Sequence, residues 1–314
     1  MMNRILSVCK LIRLPYLIAA AFIMIATREL ILSPILGIVN HQVQMPEYLF
    51  IILVLSTLLL IAAAYIINDY FDTKFDRVTR KGATIVGREI NRRSAIKLHS
   101  ILNFLAIVGG LFVAYKVGYL KLGILFILAS GLLWFYCTSY KRYVIFGKLI
   151  ISLMIAAMPM IVLLFEIPLL SLKYADFIAK TGFGFLYFFD WVGGFAIMLF
   201  LSTFIMNLTK ECKKQMILNE MPMSTTIKYT LIFSYVLLIV LTNFLAFEIL
   251  EKSAVAQYYI IGLGLVLPVL SVANLLRGGE LKDIKINYVI SKVITVAVLG
   301  LTFIADYVIT NKLL

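Results

Sequence analysis

Residues 64–82 read "AYIINDYFDTKFDRVTRKG". The stretch leaves an apolar run, passes Asn68, Asp69, Asp72 and Asp76, and ends in a basic segment. On a helix Asp69, Asp72 and Asp76 fall within about 60° of one another, at roughly 100° per residue, so all three share one face with Asn68 flanking it. Three carboxylates at the mouth of an apolar helix need a partner for their charge. Such an oxygen-rich face suits Mg²⁺, which takes one or two carboxylates and fills its shell with water and substrate phosphates. A solvated helix end is the plainer reading. The basic residues that follow, Arg77, Arg80, Lys81, Arg88, Arg92 and Arg93, tilt the balance toward a metal-plus-diphosphate site.

The surroundings of that stretch decide the fold class. The chain is 62% hydrophobic and only 14% charged, with a mean hydropathy of +1.01. These values exclude an ordinary soluble domain. A membrane span needs about 20 mostly apolar residues. Nine such runs are predicted, near 15–33, 47–67, 95–115, 119–138, 145–165, 189–208, 227–247, 256–275 and 287–309. A bilayer admits only helices or closed barrels, and these runs are too long and too continuously apolar for barrel strands. The predicted architecture is all-α: a polytopic bundle of about nine transmembrane helices, one integral-membrane domain over 1–314. The basic start before the first run resembles a signal peptide, but eight further spans make a retained first span the simpler reading.

Charge orients the chain. With the amino terminus inside, the outer side holds Arg28, Lys116, Lys121, Lys173, Lys180, Lys252 and Lys312, and every other Lys or Arg of the 29 falls inside. This obeys the positive-inside rule and predicts a cytoplasmic amino terminus in a multi-pass protein of the cytoplasmic (inner) membrane. The net charge of +13 then needs no nucleic-acid partner; topology and anionic headgroups or substrates use it. Cys9, Cys137 and Cys212 are scattered and suggest neither a disulfide framework nor a metal cluster. His41 and His99 read as ordinary polar residues. Pro268 is expected to kink the eighth helix. The segment 166–188 reads as a short helix on the outer surface, without a catalytic role.

"NDYFDTKFD" (68–76) resembles the N-D-x-x-D-x-x-x-D signature of the UbiA superfamily of intramembrane prenyltransferases. "KLIRLPYLIAA" (10–20) is similar to that family's first helix, and "YCTSYKRYVIFGKLIISLMIAAMPMIV" (136–162) to its passage from the fourth helix to the fifth. The nearest likeness is to members that attach geranylgeranyl groups to glycerol phosphates. The resemblance implies a helical bundle around a cavity open to the membrane. It also implies Mg²⁺-dependent transfer of a prenyl group from an isoprenoid diphosphate to a lipid or aromatic acceptor. By that pattern Asp69, Asp72 and Asp76 are catalytic metal ligands. Asn68, Arg77, Lys141 and Tyr136 are substrate-binding residues.

The family's second acidic cluster belongs at the cytoplasmic end of the sixth span, which here reads "FIMNLTKECKKQMILNEMP" (204–222). Asn207, Glu211 and Lys214 share one helical face, with Lys210 beside it. Glu211 is the remaining acid and the candidate fourth metal ligand; Asn207, Lys210 and Lys214 are candidate substrate contacts. Lys213 or Lys214 stands where a further Asp is expected, and Gly147-Lys148 replaces an expected Gly-Asn. Three readings stay open: a prenyltransferase in which a lysine replaces a metal, a non-catalytic relative that binds a prenyl lipid or a protein partner, and a transporter. For the last, Asp190 and Asp306 are the acids nearest the apolar runs, and no repeat between the halves is visible.

Overall fold

A computed structural model describes residues 2–79, 85–176, 186–219, 222–249, 253–277 and 280–311; the side chains of 2–5, 73–79, 219 and 245–249 also lie outside the description. Among the described residues there are nine helices long and apolar enough to cross a membrane. They overlap the nine predicted runs in order. Preceding them, α1 spans Met2–Leu11. The spans are carried by α2 (Leu14–Ile38), α3 (Glu47–Thr79), α4 (Arg92–Lys116), α5 (Ile124–Thr138), α6 (Val144–Lys173), α7 (Leu186–Asn219), α8 (Thr225–Ile249), α9 (Ala254–Arg277) and α10 (Leu281–Thr310). Strand geometry among the described residues is confined to an isolated bridge between Val86 and Ile90. Large apolar side chains stand outward on these helices, Phe104, Leu128, Phe233 and Val296 among them, as a hydrocarbon solvent requires.

The chain divides into two compact units. The first comprises residues 1–24, 44–142 and 164–183. Its axis is the pairing of α3 with α4, which small residues permit. A Cβ on Gly109 would lie 2.2 Å from Oγ of Ser56 on α3, and one on Gly110 would lie 2.3 Å from the Phe126 ring on α5. Close backbone approach of this kind drives helix association where lipid removes the hydrophobic difference. Polar side chains inside the apolar layer are satisfied across helices. His99 meets the Ala63 carbonyl at 2.9 Å, as an ordinary packed residue would. Oγ of Ser130 donates to Oδ1 of Asn103 at 2.9 Å.

Beyond α3 the chain turns at Gly87, whose φ of 87° suits a residue without a Cβ. Val86 is thereby buried with Leu11, Ile66 and Ala95, and α4 starts at Asn91, whose side chain accepts from the Arg93 N–H. Of the expected surface helix over 166–188, residues 177–185 lie outside the described residues. α6 runs on through Lys173, and Leu186 opens α7. Glu166, just past the predicted end of the fifth run, stands inside α6. Its buried carboxylate accepts the backbone N–H groups of Gln44 and Met45, so its charge is satisfied inside the helix and does not force the chain out to water.

The second unit comprises residues 25–43, 143–163 and 184–314. α7 and α10 lie along each other, and Oγ1 of Thr295 donates to the Ser202 carbonyl at 3.3 Å. The buried Asn287 on α10 donates to the Ser271 carbonyl on α9 at 3.2 Å. The Tyr259 hydroxyl donates to the Ala297 carbonyl at 2.6 Å, over Gly300. Ahead of Pro268, α9 takes a π turn at Gly262–Val266, which absorbs the N–H that proline lacks. A second π turn, Arg28–Leu32, interrupts α2. It buries Arg28 with its Nε 3.7 Å from Glu29, within the predicted first run.

Candidate active site

The helix that carries the acidic stretch continues to Thr79, so the spacing of Asp69, Asp72 and Asp76 is helical throughout. In the first unit, Asp69 and Asp72 each receive a cation from a different part of the chain. Nζ of Lys141 lies 2.6 Å from Oδ1 of Asp72, with side chains 20% and 32% exposed. NH2 of Arg13 lies 3.3 Å from Oδ1 of Asp69. Nδ2 of Asn68 donates to Oδ2 of Asp72 at 3.0 Å, which fixes both Asp72 oxygens.

The elements around the motif explain how these cations arrive. Lys141 stands in a 3₁₀ turn, Tyr140–Arg142, that joins α5 to α6. Arg13 stands in the break between α1 and α2 with φ at +54°. That left-handed conformation costs an L-residue roughly 1–2 kcal/mol. It turns the chain so that the guanidinium reaches Asp69 while lying 4.8 Å over the Tyr65 ring. Arg13 was not among the residues picked from the sequence; the signal available was a cation just before Pro15 at a helix start. Tyr136 is half-buried in the last turn of α5. The side chains of Asp76 and Arg77 lie outside the described residues.

Two carboxylates one turn apart, with an amide beside them, form a hard-oxygen donor set that fits Mg²⁺. Among the described residues no group of three His, Cys, Asp or Glu gathers around one point. A dication that draws the rest of its shell from water and phosphate does not need a third such residue.

In the second unit, Glu211 on α7 faces two ammonium groups. Nζ of Lys148 on α6 lies 3.1 Å from its Oε2, and Nζ of Lys214 lies 3.9 Å from its Oε1. Lys213 is held elsewhere, 4.3 Å over the Tyr288 ring. Asn207 is half-buried one turn before Glu211, and Lys210 is exposed. One carboxylate against two ammonium groups does not fit a dication. Lys148, noticed in the sequence only as a departure from pattern, is thus the closest partner of the remaining acid.

The fold and the acid–base cluster define an all-helical membrane protein with an Asp motif at a span end. The chain belongs to the UbiA prenyltransferase family, whose model matches residues 30–291. Its fold is that of a solved structure described as "Structural and mechanistic insights into the biosynthesis of Digeranylgeranylglyceryl phosphate synthase in membranes". The two align with a TM-score of 0.69 over 97% of this chain and 99% of the other, at 17% identity. No curated protein matches the sequence.

Proposed function

We propose that the chain transfers a prenyl group from an isoprenoid diphosphate to a lipid or aromatic acceptor within the membrane. The observation that carries this reading is the cross-paired quartet Arg13–Asp69 and Lys141–Asp72. It gathers in one place the two kinds of charge that a metal diphosphate needs. Asp69 and Asp72, with Asp76 one turn further along α3, would hold Mg²⁺, which supplies Lewis-acid withdrawal of charge from the leaving diphosphate. Lys141 and Arg13 are each within one side-chain movement of giving up their carboxylate for a phosphate oxygen. In that exchange every charge leaves one partner for another, so no step strands a charge in a partly dry site. Asn68 holds Asp72 in place as Lys141 departs.

The reaction follows from those roles. The bond between the allylic carbon and the diphosphate oxygen breaks, and its electron pair leaves with the oxygen. Lys141 and Arg13 meet the charge that develops there, a stabilisation that grows toward the transition state. The acceptor's carbon or oxygen attacks the allylic cation and loses a proton. The prenyl tail lies among apolar side chains of the spans. Tyr136 and Arg77 complete the proposed substrate contacts within the first unit; Asn207, Lys210 and Lys214 are proposed contacts within the second. The charge asymmetry of the loops supports an orientation with this chemistry at the cytoplasmic face of the inner membrane.

One observation favours the alternative of a non-catalytic prenyl-lipid binder: the remaining acid of the second cluster is engaged by two lysines. Purified protein with Mg²⁺, a series of prenyl diphosphates and lipid or aromatic acceptors decides between them. Pyrophosphate release with a prenylated product supports transfer. Binding of the diphosphate without release from any acceptor supports the binder and overturns the enzyme.

A further inference from the structure

Lys148 and Lys214 converge on Glu211 from two helices, and the three side chains are 19%, 42% and 22% exposed. The cluster therefore holds two positive charges against one negative. Among the described residues no second carboxylate lies within ion-pair reach of either lysine. Burial penalises an ammonium group, so a half-buried lysine without a full counter-charge is a site prepared for an anion. The hydrogen-bond inventory agrees. An ammonium has three N–H donors. The Lys148 contact at 3.1 Å uses one; the Lys214 contact at 3.9 Å is an ion pair beyond hydrogen-bond range and leaves its donors open. Lys213, the adjacent cation, is not part of this arrangement because it rests on Tyr288.

The carboxylate itself indicates what kind of anion fits. It presents two oxygens in a fork, one toward each lysine, as a phosphate group does. We infer that Lys148 and Lys214 form a metal-independent binding site for a phosphate group of the substrate, with Glu211 as the internal counter-ion that positions both lysines while the site is empty. The inference rests on the reading of a phosphorylated substrate given above. Two sources carry this chemistry: the diphosphate of the prenyl donor and the phosphate of a polar lipid acceptor. Arrival of the phosphate releases Glu211 from both lysines, two turns before the end of α7.

The test uses the full chain in detergent with EDTA present, titrated calorimetrically with inorganic pyrophosphate and separately with glycerol phosphate. Binding without metal is expected for at least one of them, and which one binds assigns the source. Lys148→Met and Lys214→Met should each weaken it by about ten- to a hundredfold, the range of one charge-assisted contact. Lys148→Arg, which keeps the charge, should retain most of it and so separates a lost contact from a lost fold. Glu211→Gln should bind at least as tightly as the unaltered chain, because it removes the competing carboxylate. The inference is overturned if neither anion binds without metal, if Lys148→Met binds like the unaltered chain, or if Glu211→Gln loses Mg²⁺-dependent pyrophosphate binding as a metal ligand would. Asp72→Asn, measured with Mg²⁺, reports on the first unit alone. Unchanged Mg²⁺-dependent binding there would sink the reading of the acidic motif and leave the lysine site standing.

Discussion

Replacing Lys141 by Met removes the ammonium that lies 2.6 Å from Asp72 while keeping the length and apolar stem of the side chain. Two effects oppose each other. The variant loses one charge-assisted contact to a bound phosphate oxygen, about 1.5–3 kcal/mol. It also no longer has to break the resting ion pair with Asp72. That pair is 20% and 32% exposed, nearer to the surface class than to the buried one, so opening it costs about 0.2–1 kcal/mol. The net loss is about 0.5–2.8 kcal/mol, roughly two- to a hundredfold in affinity at about 1.4 kcal/mol per tenfold. The assay is calorimetric titration of the purified chain with pyrophosphate at fixed, saturating Mg²⁺. Lys141→Arg should fall between Met and the unaltered chain, since the guanidinium keeps its charge but not the compact ammonium geometry. Affinity of Lys141→Met within twofold of the unaltered chain would refute the exchange mechanism: the pair with Asp72 would then be a structural contact and nothing more.

Asp69→Asn should abolish the Mg²⁺-dependent part of pyrophosphate binding with little change in thermal stability, because its pair with the exposed Arg13 guanidinium at 3.3 Å is of the weak surface class; retained Mg²⁺ dependence would count against the metal site. Arg13→Asn should weaken Mg²⁺-pyrophosphate binding by about two- to a hundredfold, by the same offset of charge-assisted and surface-pair energies, and asparagine tolerates the left-handed backbone at φ +54°; binding equal to that of the unaltered chain would remove Arg13 from the site. Gly110→Ala places a methyl 2.3 Å from the Phe126 ring and should lower stability by about 1–3 kcal/mol, read as a lower melting temperature in detergent; an unchanged melt would show that Phe126 yields freely. A cysteine placed at Arg88 in a cysteine-free background should react with an impermeant maleimide only after the cells are opened. Labelling of intact cells would reverse the assigned orientation.

Much of the fold was legible because lipid leaves the chain few options. Nine apolar runs, read against the length needed to cross hydrocarbon, reappear in order as nine helices among the described residues. The ends were less legible. Nothing in "EIPLLSLK" (166–173) announces that Glu166 will find two backbone N–H groups from Gln44 and Met45. Without that partner a glutamate and a proline look like the end of a span, and the boundary falls too early. Arg28 fell inside a predicted run, but its burial beside Glu29 in a π turn was not legible from the spacing of apolar residues.

The acidic motif was legible because its chemistry repeats along one helix, where spacing alone fixes the face. Its pairing with cations was not: Lys141 came only through the family resemblance and Arg13 was missed, because they lie 69 and 56 residues away from their acids, and no local rule links them. Arg13 depends on a left-handed residue between two helices, a conformation that the sequence "LIRLPY" permits but does not announce. Lys148 shows the same limit from the other side. As one residue in "FGKLI" it was only a departure from an expected Gly-Asn. Glu211 looked like the survivor of a metal site as long as its partner was out of view. At 3.1 Å from each other Lys148 and Glu211 explain each other: one acid against two lysines leaves a net positive charge, which disfavours a dication. A lysine at 148 without Glu211 would be an unpaired charge in a half-dry helix end. The pair has to be read together, and read together it points to an anion rather than to a metal.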